Sequence, residues 1–242
     1  MDKQILITGG AQRIGKELVN HFHDIGWNVL FQYRSSSDSA INLCDQLNLK
    51  RENSCLALQC DFDDEASFTD FCKEINKNAM NLCALINNAS TFYPKKITDI
   101  DSSDWEKLMS SNLKTPIFLC SALADKLIKN KGHIVNITDI YAEQGMSGYS
   151  VYAAAKAGLY NFTKSLAREL APNVLVNSIS PGSILWDVNE PSEEKKKKIL
   201  DSIPMRRLGS EKDIVMLADY LISKNTYMTG RNISVDGGKS LG

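Results

Sequence analysis

The feature that most limits how this chain can fold is the alternation of short apolar segments with longer segments of helical periodicity. Seven short, mostly apolar runs are predicted to be strands, at residues 3–8, 28–33, 54–60, 82–87, 132–138, 173–179 and 231–235. Most intervening segments carry apolar residues every three or four positions, as Ile14, Leu18 and Phe22 do. Strands that are apolar on both faces and joined by helices indicate a parallel sheet covered on both sides.

This order of elements predicts an α/β fold in which residues 1–242 form a single domain. Right-handed crossovers would produce a doubly wound Rossmann fold, with a seven-stranded, mostly parallel sheet and helices on both faces. Pro116 is expected to bend or interrupt the long helical segment near 101–129. Residues 183–203 are expected to form a substrate lid, and the lysine run at 195–198 favours a solvated helix face there over an anion site.

Composition argues against several classes of partner. The net charge of −1 creates no overall field that would recruit nucleic acid or an anionic membrane. No apolar run approaches the roughly 20 residues of a membrane span, and the N-terminus shows no signal-peptide pattern. The six cysteines form no C-x-x-C pair, which favours reduced core thiols, and with three histidines no metal site is expected. We therefore expect a cytoplasmic protein.

A glycine-rich segment, Thr-Gly-Gly-Ala-Gln-Arg-Ile-Gly at residues 8–15, joins the first predicted strand to the first predicted helix. Glycines let a backbone turn sharply and approach a pyrophosphate, whose charge the helix N-terminus then meets. The alternative is a plain turn, but the strand-turn-helix context favours a dinucleotide site. The predicted cofactor contacts in this loop are Thr8, Gly9, Arg13, Ile14 and Gly15.

The end of the second predicted strand indicates which dinucleotide binds. An acid about 20 residues beyond the loop would bind a ribose 2′-hydroxyl and repel a 2′-phosphate. The chain instead has Tyr33, Arg34 and Ser35 there, and no acid before Asp38. Arg34 can form a charge-assisted fork with phosphate, and the serine hydroxyl adds a donor. The sequence therefore favours NADPH, although a solvated surface position remains the alternative for Arg34.

Tyr152 and Lys156 are separated by four positions and so share one face of a predicted helix. A phenol titrates at about 10, too high for ready proton exchange at neutral pH. An ammonium nearby stabilises phenolate and is expected to lower the pKa of Tyr152. With the glycine loop upstream, this pair predicts proton transfer beside a bound dinucleotide.

From end to end, the chain resembles the short-chain dehydrogenases/reductases. The resemblance is carried by segment 8–15, Asn87-Asn88-Ala89, Asn112, Tyr152 with Lys156, Pro181-Gly182 and Asp236-Gly237-Gly238. It implies that Tyr152 donates a proton, that Lys156 binds the nicotinamide ribose and that Asn112 helps to hold a water relay. Further cofactor contacts implied by the resemblance are Asp61, Phe62, Asn88, Ala89, Ser90, Pro181, Gly182, Ser183 and Ile184. It also implies a homotetramer.

Two departures from the general family pattern narrow the resemblance. Arg13 stands where the family usually has glycine, and Asp139 stands where a serine usually precedes the tyrosine by thirteen residues. Both are shared by the pteridine reductases and the similar bacterial dihydromonapterin reductases, whose version of residues 87–94 this chain also resembles. The resemblance implies that Phe92 stacks on a pterin, with a core aromatic as the alternative, and that Ser90 and Arg13 bind the pterin and the cofactor phosphates.

The chemistry of Asp139 agrees with a pterin substrate. Its carboxylate can accept a hydrogen bond from Tyr152 or pass a proton to a ring nitrogen. Its negative charge also opposes formation of the phenolate, and the positive charge of Lys156 must offset this effect. We therefore expect NADPH-dependent reduction of a dihydropterin (dihydromonapterin, dihydrobiopterin or dihydrofolate) to its tetrahydro form. The predicted substrate contacts are Arg13, Ser90, Phe92, Asp139 and Tyr152.

Two other functions stay open. A general carbonyl or 3-oxoacyl reductase would share Tyr152 and Lys156, although a carbonyl oxygen gaining charge prefers a neutral hydroxyl to the Asp139 carboxylate. Thr138 could supply that hydroxyl if the register slipped by one residue. A non-catalytic NADPH-binding regulator would need the glycine loop but no proton relay.

Overall fold

The computed structural model describes residues 3–186 and 191–241, and these residues confirm the predicted α/β class. Their seven strands form one sheet in the order β3-β2-β1-β4-β5-β6-β7, and every neighbouring pair is parallel. The sheet is thus wholly rather than mostly parallel. The strands are β1 (Gln4–Ile7), β2 (Asn28–Tyr33), β3 (Cys55–Gln59), β4 (Leu82–Asn87), β5 (His133–Ile137), β6 (Leu175–Pro181) and β7 (Asn232–Val235).

The largest shift from the predicted strand boundaries is at β6, which begins and ends two residues later than expected. The backbone N–H groups of Asn173 and Val174 both donate to the carbonyl of Leu170. These N–H groups therefore close the end of the preceding helix and are not available to the sheet. Val174 is fully buried, which explains why its apolar side chain resembles the start of a strand.

Helices cover both faces of the sheet. They are α1 (Arg13–Asp24), α2 (Ser37–Lys50), α3 (Glu65–Asn78), α4 (Ser102–Met109), α5 (Thr115–Lys129), α6 (Tyr141–Gln144), α7 (Ser150–Leu170), α8 (Glu193–Asp201) and α9 (Glu211–Asp219). Ile5 and Ile7 of β1 belong to the core layer that includes α1, α2 and α9, whereas Leu6 belongs to the layer that includes α3, α5 and α7. This alternation follows from the two-residue period of a strand and makes every β1 side chain after Gln4 buried.

A wide, π-helical turn, Ser110–Lys114, connects α4 to α5. Pro116, expected to bend or interrupt this segment, is near the start of α5. A proline ring clashes with the carbonyl four residues earlier and offers no N–H to it, so widening the preceding turn relieves the conflict. That carbonyl belongs to Asn112, a residue of the wide turn whose side chain is buried.

The carboxyl ends of β1, β4, β5 and β6 meet at one edge of the sheet. Because β1 lies between β2 and β4, the order of the strands reverses there, and such a reversal opens a crevice for ligands. Thr8 follows β1, Asn88 follows β4, Asp139 lies just beyond β5, and Gly182 follows β6. The topology therefore collects sequence motifs from distant parts of the chain at this edge.

All six cysteines are free thiols, and Cys55, Cys60 and Cys120 are buried. No helix among the described residues is both long and apolar enough to cross a membrane.

Candidate active site

A cleft of about 720 Å³ runs along the carboxyl edge of the sheet. Every residue predicted above to contact cofactor or substrate, or to act in catalysis, lines it, except Thr8 and Asn112. Those two side chains are buried beneath its floor. Of the expected lid, residues 187–190 lie outside the described residues, while Pro191, Lys195 and Ile199 reach the cleft.

The glycine loop lies directly against the end of β4. Gly9 has a φ of +65°, which favours glycine, and a Cβ there would come within 3.0 Å of the Ala89 Cα atom. A Cβ at Gly15 would overlap the Gly9 carbonyl oxygen. The Thr8 hydroxyl accepts hydrogen bonds from the N–H groups of Asn88 and Ala89, at 2.9 and 3.0 Å. Thr8 is therefore a brace between β1 and β4 beneath the cleft.

The start of α1 suits a diphosphate. Arg13 has a φ of +50°, the left-handed region that favours glycine, which accounts for the usual family residue at this position. The first turn of α1 contains no acidic residue, so the partial positive charge of the helix N-terminus is unopposed. Arg13 places a further cation beside it.

Sequence reasoning missed Gln32, whose side chain supports the loop. Its carbonyl oxygen accepts from the Gly9 N–H at 2.9 Å, and its amide donates to the Cys60 carbonyl at 2.7 Å. The residue is only 2% exposed. A polar side chain inside an otherwise apolar predicted strand was the available signal, because buried polar groups require hydrogen-bond partners.

Beyond β2, the cleft offers groups that suit a phosphate ester. Arg34 is exposed, and among the described residues its guanidinium has neither an ion pair nor a hydrogen-bond acceptor. Its backbone carbonyl accepts from the Gln59 amide at 3.0 Å. Ser35 lines the same wall, and Asp61 lies across from it with one carboxylate oxygen accepting from the Asp63 N–H. With the loop, these residues fit a phosphorylated dinucleotide.

Asp139, Tyr152 and Lys156 meet at the other end of the cleft. The Tyr152 hydroxyl donates to Oδ2 of Asp139 at 2.7 Å, and the Lys156 Nζ atom donates to the Ile137 carbonyl at 2.9 Å. The Lys156 Nζ atom lies 5.8 Å from the centroid of the Tyr152 ring. Oδ1 of Asp139 accepts from the Tyr141 N–H at 2.9 Å, so this carboxylate both caps α6 and contacts the phenol.

The pKa of Tyr152 shifts in the direction opposite to the sequence-based expectation. Burial raises it well above its usual value, and the charge of Asp139 and the hydrogen bond to it raise it further. The ammonium of Lys156 bonds Ile137 instead of the phenol, whereas the carboxylate is in direct contact, so the carboxylate dominates. Burial also raises the pKa of Asp139 and lowers the pKa of Lys156 to about 8. Tyr152 therefore keeps its proton at neutral pH, and donating that proton requires a neighbouring positive charge to stabilise the phenolate.

Asn112 holds the loop that follows β4. Its amide donates to the carbonyls of Thr91 and Leu108, at 2.8 and 2.9 Å, and its carbonyl oxygen accepts from the Ser90 hydroxyl at 2.7 Å. The side chain thus ties the loop to the wide turn before α5. The water relay implied for Asn112 stays a prediction, since its side-chain groups are engaged in this positioning.

Phe92 forms an aromatic wall beside the phenol. Its ring is 43% exposed, so it is not part of the core. It stacks on Tyr149, with centroids 4.5 Å apart and planes at 13°, and meets Tyr152 edge-on at 4.8 Å. Tyr149 was not predicted as a site residue. The available signal was a second tyrosine three positions before Tyr152, at the residue that precedes α7.

A buried carboxylate anchors the residues that follow Phe92. Asp104, on α4, accepts from the Tyr93 hydroxyl at 3.0 Å and pairs with the Lys95 Nζ atom at 2.9 Å. The hydrogen bond from Lys95 is the main reason why the pKa of Asp104 lies below its usual value. Asp104 therefore holds the loop just after the aromatic wall, and nothing in its sequence context indicated this.

Thr138 does not take the place of the usual serine. Its hydroxyl bonds the Ile179 carbonyl at 2.9 Å, the Ser180 hydroxyl at 2.8 Å and the Asn232 side chain at 3.0 Å. These partners belong to β6 and β7, on the side away from Tyr152. Asp139 is the residue that contacts the phenol.

Comparison with known proteins agrees with this geometry. A family model described as enoyl-(acyl carrier protein) reductase matches residues 9–240. The chain is 35% identical to proteins named dihydromonapterin reductase from Enterobacter sp. (strain 638) and Klebsiella pneumoniae, over 99% of this chain and 97% of each relative. It is 34% identical to the protein of that name from Escherichia coli (strain SMS-3-5 / SECEC), over 98% of this chain and 96% of the relative.

The chain belongs to the short-chain dehydrogenase/reductase family. It is an oxidoreductase, and its cofactor is a nicotinamide nucleotide.

The pKa of Lys156 generates a pH prediction. We expect kcat/KM for the dinucleotide, which reports groups of the free enzyme, to fall as the pH rises through about 8, because Lys156 then loses its proton. Tyr152 keeps its proton in that range because its pKa is raised well above the usual value. Initial rates at constant ionic strength check this. The fall should disappear from the residual activity of Lys156→Arg, whose guanidinium stays charged, and a flat wild-type profile would contradict the prediction.

Proposed function

We propose that this protein reduces a 7,8-dihydropterin, such as dihydromonapterin, dihydrobiopterin or dihydrofolate, to the tetrahydro form with NADPH. The observation that carries the proposal is the hydrogen bond from Tyr152 to Asp139 beside the exposed ring of Phe92. This arrangement joins a proton donor, a carboxylate and a flat apolar surface at one end of the cleft. The names of the relatives, which share most of their length with this chain, support the same substrate class.

The proposed cofactor site extends along the cleft. Residues 8–15 and the start of α1 receive the diphosphate, Arg13 and Arg34 with Ser35 bind the 2′-phosphate, and Asp61 with Phe62 borders the adenine. Lys156 and Tyr152 hold the nicotinamide ribose. The remaining contacts near the nicotinamide are Asn88, Ala89, Ser90, Pro181, Gly182, Ser183 and Ile184. When bound, NADPH supplies the hydride.

The pterin is proposed to stack on Phe92. A pterin is a flat, electron-poor heterocycle with donors and acceptors around its edge, and aromatic contact contributes about 0.5–1.5 kcal/mol beyond area burial. Tyr149 supports the opposite face of the Phe92 ring. Ser90, Arg13 and Asp139 line the cleft and are proposed to bond the polar edge of the substrate.

Proton delivery is assigned to Tyr152 with Asp139. Burial and the neighbouring carboxylate raise the pKa of Tyr152, so its hydroxyl carries a proton at neutral pH. As that proton moves to a ring nitrogen, the Lys156 ammonium stabilises the phenolate, and Asp139 can return a proton because burial raises its own pKa. These coupled groups are expected to titrate as a unit.

The proposal also includes a lid at residues 183–203, a homotetramer and a cytoplasmic location. Helix α8 supports the lid because Lys195 and Ile199 reach the cleft. Trp105 on α4 and Phe118 on α5 expose about half of their surfaces, which an interface between subunits would cover. Ala154 is exposed and Ala157 half-buried, so these small residues would permit close packing of α7 in such an assembly, whereas Ala153 is buried within the chain. The six free cysteines suit a reducing compartment.

A second candidate, reduction of an acyl thioester, is favoured by the description of the matching family model. Asp139 argues against it, because a carboxylate at the phenol opposes the negative charge that develops on a carbonyl oxygen. The third possibility considered above, a regulator that only binds NADPH, would have no use for the proton relay.

Steady-state assays with NADPH and 7,8-dihydrobiopterin test the function. The wild type should turn over, and Tyr152→Phe should lower kcat by about 10²-fold or more because the proton donor is lost, with the NADPH dissociation constant nearly unchanged. Tyr160→Phe, which removes a hydroxyl from the same helix outside the cleft, is the matched control.

Three outcomes would contradict the proposal. Turnover of 3-oxoacyl or enoyl thioesters without turnover of any dihydropterin would favour the second candidate. NADPH binding with no turnover of either class would favour the regulator. Full activity of Tyr152→Phe would exclude the proposed proton donor.

The choice of NADPH rests on Arg34. Replacing it by Asp removes a charge-assisted contact and adds repulsion, so kcat/KM for NADPH should fall by about 10²-fold, while that for NADH changes by only a few-fold. Lys212→Asp makes the same charge change on α9, away from the cleft, and should leave both values unchanged. Equal losses with the two cofactors in Arg34→Asp would show that Arg34 does not recognise the 2′-phosphate.

A further inference from the structure

The cleft continues past Asp139 and Tyr152 into an outer pocket. Four residues line both spaces and so form the passage between them: Tyr141, Lys195, Ile199 and Lys239. Any substituent on a ring bound at Phe92 that extends toward α8 would pass these side chains. We call this group of four residues the gateway.

Lys239 is held close to the reactive end of the cleft. Its Nζ atom donates to the Ser183 hydroxyl at 2.8 Å and lies 5.7 Å from the centroid of the Tyr141 ring. Tyr141 in turn donates its N–H to Asp139 at 2.9 Å. Burial raises the pKa of Asp139, and the Lys239 ammonium is near enough for its charge to offset part of that rise. Tyr141 therefore contacts both Lys239 and the Asp139 carboxylate.

Carboxylates near the gateway are engaged elsewhere. Glu193 pairs with Lys196, Glu194 with Lys198, and Asp201 with Arg206. Asp236 accepts from the N–H groups of Gly238 and Ser240. Within the described part of the chain, neither Lys195 nor Lys239 forms an ion pair with a carboxylate. The gateway thus presents two ammonium groups whose charges are not neutralised by these neighbours.

We propose that Lys195 and Lys239 form a subsite for an anionic side chain on the substrate, ending in carboxylate or phosphate. This inference rests on the proposed function, because it places the pterin ring at Phe92 and its side chain in the gateway. An ammonium is a compact point charge that binds either anion without demanding one geometry. The subsite makes this enzyme favour pterins with a charged tail over neutral ones.

The contribution of such a subsite is modest and depends on salt. One exposed ion pair changes an affinity by up to about fivefold, so two lysines together are expected to contribute about tenfold. Charges at this solvent-accessible position are screened at physiological ionic strength, where the Debye length is about 8 Å. The preference for charged tails should therefore decrease as salt is added.

The test compares kcat/KM for three substrates at low ionic strength. They are 7,8-dihydrofolate, with a carboxylate tail, 7,8-dihydroneopterin monophosphate, with a phosphate tail, and the neutral 7,8-dihydrobiopterin. The measured quantity is kcat/KM for each charged substrate divided by kcat/KM for the neutral substrate. Lys195→Gln combined with Lys239→Gln removes the charges while retaining polar side chains. Lys197→Gln, on the same helix but outside both pockets, is the matched control.

We expect at least one ratio to fall about tenfold in the double variant, and to fall with added salt in the wild type, while Lys197→Gln keeps the wild-type ratios. The substrate whose ratio falls identifies the tail as carboxylate or phosphate. Unchanged ratios for both charged substrates, beside normal turnover of dihydrobiopterin, would overturn the subsite and leave the proposed function standing. A wild type that reduces none of the three would overturn both.

Discussion

The site depends on one hydrogen bond, from the Tyr152 hydroxyl to the Asp139 carboxylate at 2.7 Å. Asp139 lies just beyond β5 and Tyr152 is on α7, so this bond joins the two elements. The bond from Lys156, also on α7, to the Ile137 carbonyl at the end of β5 joins them a second time. Tyr152 is buried and Asp139 is half-buried. Burial raises the pKa of both groups, and the Asp139 carboxylate raises the pKa of Tyr152 further. A phenol held in this way retains its proton until a substrate accepts it. That property favours the reductive direction of the proposed reaction.

Buried polar side chains hold the loops that carry the binding groups. Thr8 links the glycine loop to the end of β4, Gln32 supports that loop from β2, and Asn112 ties Ser90 to the wide turn before α5. Asp104 holds the residues just after Phe92 through Tyr93 and Lys95. Because each group is satisfied by a partner on a different element, loss of one would release a loop as well as leave a buried donor or acceptor unpaired. The loops that line the cleft are therefore held in position by the buried side chains beneath them.

The sheet could be predicted because its strands are apolar on both faces, so β2 and β4 are correct at both ends. The start of β6 could not be predicted, because Val174 is buried like a strand residue although its N–H group bonds Leu170 at the end of α7. The contact of Asp139 with Tyr152 was expected from the family resemblance and from the ability of a carboxylate to accept from a phenol. The direction of the Tyr152 pKa shift was not expected, because it depends on whether Asp139 or Lys156 contacts the hydroxyl. Tyr149 and Lys239 were missed for a related reason, since their positions depend on contacts between elements far apart in the chain.

The proposed roles of Phe92, Tyr152 and Asp139 are tested most directly by a crystal structure with NADP⁺ and a folate analogue bound together. We expect the heterocycle to stack on Phe92, with its polar edge within hydrogen-bond distance of the Tyr152 hydroxyl or the Asp139 carboxylate. We also expect Lys156 to contact the nicotinamide ribose. A heterocycle bound away from Phe92, or one whose polar edge reaches neither Tyr152 nor Asp139, would contradict these roles.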